Sequence, residues 1–305
     1  MSPSAPAIPL VHLDHLWLQV SGTRCNIACA HCFNSSGPDV RTFGHLTPAL
    51  VDEAIGAAAG RGVREIFFTG GEPFLNPHLP GMLETALAVA PATVLTNGML
   101  IGDRIADRLA GLAAASRYSL EIRVSLDGYT EAANDAIRGA GVFRQALAAV
   151  ARLSRRGLLP LVTIVRTWPD EEELATLDGF ARVLREAGDE RPRIKVLPAL
   201  PLGRELARHP EALPGGLVTD AMLEDFDRDL LMCSNSRVVT DRGVWVCPLL
   251  VDAADARLGS TLDEADRPYA LQHHACVSCW HYGTICGNVS AQIDGPDTAR
   301  RERPA

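Results

Sequence analysis

A chain of 305 residues, 47% apolar and 22% charged, is long enough for one large domain or for a large and a small one, and reads as a globular protein. Its net charge of -8, with no basic stripe, argues against a nucleic-acid partner. No apolar run approaches the ~20 residues of a membrane span, and residues 1–9 lack the basic and long apolar regions of a signal peptide, so a cytoplasmic location is expected.

In chain order, residues 1–10 are rich in Pro, Ser and Ala and are expected to form a loose arm. Residues 15–20 read as a short apolar strand entering a loop kept irregular by Gly37, Pro38 and Gly44. Thr47 looks like an N-cap, with Pro48 at the first helical position and a helix to about Arg61. Strands are predicted at 65–69, 92–96, 120–125, 161–165 and 194–197. Helices are predicted between them, at 81–89, 103–115, 130–156 and 171–187. Strands of near-continuous apolar character that alternate with helices indicate a parallel sheet covered by helices. Eight units would close a barrel, and six fit before the pattern breaks.

Residues 198–216 hold four prolines and three glycines and read as a linker. Beyond it, a helix is predicted over 219–231, a hairpin turning at Asp241-Arg242-Gly243, and a helix over 260–273. The resulting division is an arm (1–13), an α/β core (14–200), a linker (201–218), a small α+β unit (219–292) and a tail (293–305).

The eight cysteines fall into two groups, three at 25–32 and five at 233–286. A reducing compartment disfavours disulfides, so two metal-binding regions are the simplest account. In the first, Cys25, Cys29 and Cys32 are spaced by three and then two residues, a spacing uncommon for zinc. Three thiolates can hold three corners of an iron–sulfur cube and leave one iron open. A zinc site completed by His31 and three unrelated buried thiols are the alternatives.

This triplet resembles the signature of the radical S-adenosylmethionine (radical SAM) family, with His31 where the family carries an aromatic residue before the third cysteine. The six-unit count matches that family's partial, TIM-like (β/α)6 barrel. Gly70-Gly71-Glu72-Pro73 resembles the family motif that holds the methionine amino group, and its glycines allow close backbone approach. Asn97 in Thr96-Asn97-Gly98, and Ser125 and Asp127 in Ser125-Leu126-Asp127-Gly128, lie at C-terminal strand ends, where α/β sheets place ligands. Asp127 reads equally well as a helix-capping residue. Arg138 matches an arginine that pairs with the cofactor carboxylate in relatives, a role suited to a guanidinium fork.

The resemblance implies a [4Fe–4S] cluster and S-adenosylmethionine as cofactors, and a flavodoxin- or ferredoxin-type electron donor. It also implies reductive cleavage to a 5'-deoxyadenosyl radical that takes a hydrogen from the substrate. The second group, Cys233, Cys247, Cys276, Cys279 and Cys286, resembles the auxiliary-cluster domains called SPASM and twitch. Five cysteines, against seven for a full SPASM pattern, suit one [4Fe–4S] cluster with one thiol over. The ligands of first choice are Cys233, Cys247, Cys276 and Cys279. Cys286 is the expected spare, with Cys233 the other option, and a spare thiol is a candidate hydrogen donor to a substrate radical. Structural zinc again competes. The expected substrate is a peptide or a small natural-product intermediate, changed by redox, epimerisation or crosslinking. A non-catalytic zinc- or iron–sulfur-binding scaffold is the contrasting possibility, and a molybdenum-cofactor-type cyclase is disfavoured because the chain ends without paired glycines.

Overall fold

A computed structural model of the chain describes residues 5–283. Its centre is a nine-stranded sheet. The chain opens with β1 (Ala7–Ile8) and β2 (His15–Gln19), then α1 (Pro48–Ala59), β3 (Glu65–Thr69), α2 (Leu79–Leu87), β4 (Ala92–Thr96), α3 (Asp103–Ala115) and β5 (Leu120–Ser125). After β5 come α4 (Glu131–Arg138), α5 (Val142–Ser154), β6 (Leu161–Val165), α6 (Glu173–Glu186) and β7 (Arg193–Leu197). The neighbours from β2 to β7 all pair in parallel and in sequence order. This is the expected α/β architecture of a partial (β/α)6 barrel.

Alternation along each strand sorts the two faces. Leu16 and Leu18 of β2 are fully buried in the core, while Trp17 and Gln19 face a cavity inside the curved sheet. Thr47 caps α1 as expected, its hydroxyl accepting the Leu50 N–H. The long helix expected over 130–156 is two helices. Gly139 and Gly141 take φ of +109° and +79°, a break that helix geometry cannot continue through.

The C-terminal part differs more from expectation. Within the predicted linker lies α7 (Gly203–Arg208). The helix expected over 219–231 is two short 3₁₀ turns, Ala221–Leu223 and Arg228–Leu230, with Leu223 and Leu231 buried in the core. A single helical turn, α8 (Met232–Asn235), leads to the hairpin β8 (Ser236–Thr240) and β9 (Gly243–Trp245), which turns at Asp241-Arg242 as expected. Then come β10 (Arg257–Gly259), β11 (Tyr269–Ala270) and α9 (His274–Tyr282). The helix expected over 260–273 does not form. That stretch holds turns and β11, and the helix starts only at His274.

β8 pairs in parallel with β2, so the hairpin extends the barrel sheet. The arm is tied down as well, since Ala7–Ile8 pairs antiparallel with Tyr269–Ala270. Among the described residues, no helix is long and apolar enough to cross a membrane.

Candidate functional site

The loop carrying Cys25, Cys29 and Cys32 lies across the C-terminal ends of β2 and β3. The Gly71 N–H donates to the Gly22 carbonyl (2.9 Å) and the Glu72 N–H to the Arg24 carbonyl (3.0 Å). This approach explains the glycine pair. A Cβ on Gly71 would stand 2.2 Å from the Arg24 carbonyl oxygen, and one on Gly70, at φ +139°, would stand 2.3 Å from the Ser21 hydroxyl. The other side of the loop is held by Arg204, which donates to the carbonyls of Cys29 (2.8 Å) and Ser36 (2.6 Å). Its own N–H donates to the Cys32 carbonyl (3.0 Å). Sequence reading gave Arg204 no role of its own, because its partners lie far away in the chain.

The three thiols line one wall of a cavity of about 210 Å³. Gly70, Gly71, Asn97, Ser125 and Arg138 line it too. Glu72, Pro73 and Asp127 do not; they lie buried behind it. The Glu72 carboxylate points inward and accepts from the Phe74 N–H (3.1 Å), the Thr96 hydroxyl (2.8 Å) and the Asn97 N–H (2.8 Å). It therefore locks the β3 end to the β4 end. Complete burial pushes its carboxyl up to about 7 against those three donors.

Asp127 is held just as fully. Its carboxylate meets His31 Nε2 and Arg138 Nε, each at 2.6 Å, and accepts from the Val165 N–H. Burial alone would raise its carboxyl, but Arg138 and His31 overcome that and bring it down to about 2. The helix-capping reading is not what the side chain does; Asn134 instead accepts the Asp127 N–H. Two side chains reach the thiols as N–H donors. Asn97 Nδ2 lies 3.7 Å from Cys25 Sγ, and an Arg138 Nη lies 3.9 Å from Cys29 Sγ.

The second group gathers four thiols. Cys233, Cys247, Cys276 and Cys279 are all buried and line one small void with apolar neighbours such as Leu231, Met232, Val246, Leu250 and Leu271. Arg237, fully buried beside them, donates to the carbonyls of Cys233, Ser236, Ala265 and Arg267. Cys286 lies outside the described residues.

The donor sets suit iron–sulfur clusters. Burial pushes the Cys25 thiol up to about 12 and the Cys276 thiol to about 11, so bare thiolates are disfavoured at both places until a metal compensates their charge. Among the described residues, no three His, Cys, Asp or Glu side chains are grouped as for a single metal ion. His31 is committed to Asp127 through Nε2, and its buried Nδ1 has no partner.

A family model described as "Radical SAM superfamily" matches residues 20–188. The chain is 29% identical to the mycofactocin maturase MftC of Mycobacterium ulcerans, over 90% of this chain and 84% of that protein. It is 32% identical to the protein of the same name from Mycobacterium tuberculosis, over 87% of this chain and 65% of that one. In fold it is similar to Streptococcus suis SuiB bound to the precursor peptide SuiA, with a TM-score of 0.61 and 16% identity over 85% of this chain and 65% of that one.

Proposed function

The chain belongs to the radical SAM superfamily, a family of enzymes that use S-adenosylmethionine and a [4Fe–4S] cluster, and on that premise we propose that it is a maturase that modifies a precursor peptide. The observation that carries the reading is the common wall: three loop thiols and the ends of β3, β4 and β5 face one cavity. When bound there, cluster and cofactor supply a radical able to abstract a substrate hydrogen. The peptide as substrate rests on relatives named as maturases and on a fold neighbour bound to a precursor peptide.

Cys25, Cys29 and Cys32 would hold the cluster. The carbonyls of Gly70 and Gly71 would receive the ammonium group of the methionine moiety, since the Glu72 carboxylate lies fully buried outside the cavity lining and is turned to three protein donors. Ser125 and Asn97 would orient the rest of the cofactor from the strand ends. Arg138 would offer a cation at the cavity wall while Asp127 fixes its direction. Pro73 and Glu72 act from behind by holding the motif's shape. Cys233, Cys247, Cys276 and Cys279 would hold an auxiliary [4Fe–4S] cluster in a unit spanning 219–292. The product then follows from a redox change, an epimerisation or a crosslink of the peptide, with electrons delivered by a flavodoxin- or ferredoxin-type protein.

The test is anaerobic incubation with reductant, S-adenosylmethionine and peptides encoded beside the gene. One peptide should raise 5'-deoxyadenosine output and change mass. No response to any peptide, with a strong response to a small molecule, would overturn the peptide reading.

A further inference from the structure

Among the described side chains that line the four-thiol void, Tyr269 alone carries an oxygen or nitrogen. Its hydroxyl is buried and has no hydrogen-bond partner, while the residue as a whole is 5% exposed. Buried tyrosine hydroxyls normally find an acceptor, because an unmade bond leaves the full desolvation cost in place. A water cannot fill the gap, since it would need two or more polar partners and the other lining groups are apolar or sulfur.

The ring is fixed as well. β11 pairs with β1, and the Tyr269 ring stacks on His273 at 6.3 Å between centroids and 6° between planes. His273 is itself held by Asp255 at 2.8 Å, so the hydroxyl cannot readily swing to a new partner. A phenol hydroxyl can donate a hydrogen bond, and the sulfurs of a cluster are acceptors.

We infer that the Tyr269 hydroxyl donates its hydrogen bond to a sulfur of the auxiliary cluster and raises that cluster's reduction potential. This rests on the reading that the four thiols hold a cluster. The direction follows from charge. A reduced cluster carries one more electron and more negative sulfurs, so a fixed O–H donor stabilises the reduced form more than the oxidised one. Tyr269 is thus a positioning residue for electron transfer and touches no substrate.

The test uses the full-length, cluster-loaded protein and Tyr269→Phe, which keeps the ring and its stacking and removes only the hydroxyl. Potentiometric titration followed by electron paramagnetic resonance reads both clusters. The auxiliary signal should titrate at a more negative potential in the variant, with iron and sulfide content unchanged and the N-terminal signal unmoved. Wild-type protein exchanged into D₂O should show a deuteron coupled to the auxiliary cluster, a readout that stands even where the variant loads poorly. Full iron content with coincident auxiliary potentials, or no coupled deuteron, overturns the inference alone. Wild-type protein that holds iron for one cluster only overturns the two-cluster reading, and the inference with it.

Discussion

Cys25, Cys29 and Cys32 stand on a loop at the wall of a cavity, between Asn97 and Arg138, which offer N–H groups to two of them. Cys233, Cys247, Cys276 and Cys279 surround a void whose other described lining side chains are apolar except for one tyrosine. The same side chain thus serves two designs. Three thiols beside a roomy, polar-edged cavity leave a coordination position for a small molecule. Four thiols around one small void would leave none on a cluster they held, which would suit a centre that takes up and passes on electrons. The two designs share one sheet, because β8, which follows Cys233, pairs directly with β2, which leads to Cys25.

The largest expected break of this contrast is Cys25→Ala. It should abolish 5'-deoxyadenosine formation and remove about half of the bound iron, while the broad absorbance near ~400 nm keeps a cluster signature from the four-thiol site. Cys247→Ala is the mirror experiment. It should also remove about half of the iron, yet leave cofactor cleavage measurable and uncoupled from peptide product. Loss of cleavage in Cys247→Ala, with the first cluster still loaded, would show that the two sites are not functionally separate.

Asp127→Asn sharpens the open site. It strands the buried Arg138 guanidinium and frees His31, and breaking a buried pair of this kind costs about 3–5 kcal/mol, read as a lowered unfolding midpoint. Glu72→Gln is milder. The amide keeps one acceptor oxygen but turns an NH₂ toward a donor, at a cost of about 1–3 kcal/mol.

Glu72 also carries a pH signature. Its carboxyl is raised from 4.5 to about 7, so the folded state binds a proton that the unfolded state has lost. Its contribution to stability is therefore full below pH 4.5 and falls as the pH rises toward 7. Subtracting the stability–pH curve of Glu72→Gln from that of the parent, both metal-free, should reveal a difference that declines through this window. A flat difference would show that the three donors fully offset burial.

Much of the open site was legible because its signals are local. The spacing of Cys25, Cys29 and Cys32, the glycine pair at 70–71 and the turn residues at 96–98 each follow from a few adjacent residues. The strand starts and ends were equally plain, since apolar runs bounded by turn residues need no tertiary knowledge. What stayed hidden depends on contacts distant in sequence. Nothing near Arg204 reveals that it clamps the cysteine loop, and nothing near Glu72 reveals that its carboxylate faces Asn97 rather than the cavity. The stretches 219–231 and 260–273 have helical composition, but residues such as Leu223, Leu262 and Tyr269 are buried in the core from turns and a short strand, and tertiary context overrode propensity there.

The most direct test of the contrast between the three-thiol and four-thiol sites is electron paramagnetic resonance of the reduced, fully loaded protein, recorded before and after addition of S-adenosylmethionine. The account predicts two cluster signals, of which one changes on addition and the other stays as it was, the changing one being absent from Cys25→Ala. Two signals that both respond, or a response that survives Cys25→Ala, would contradict it.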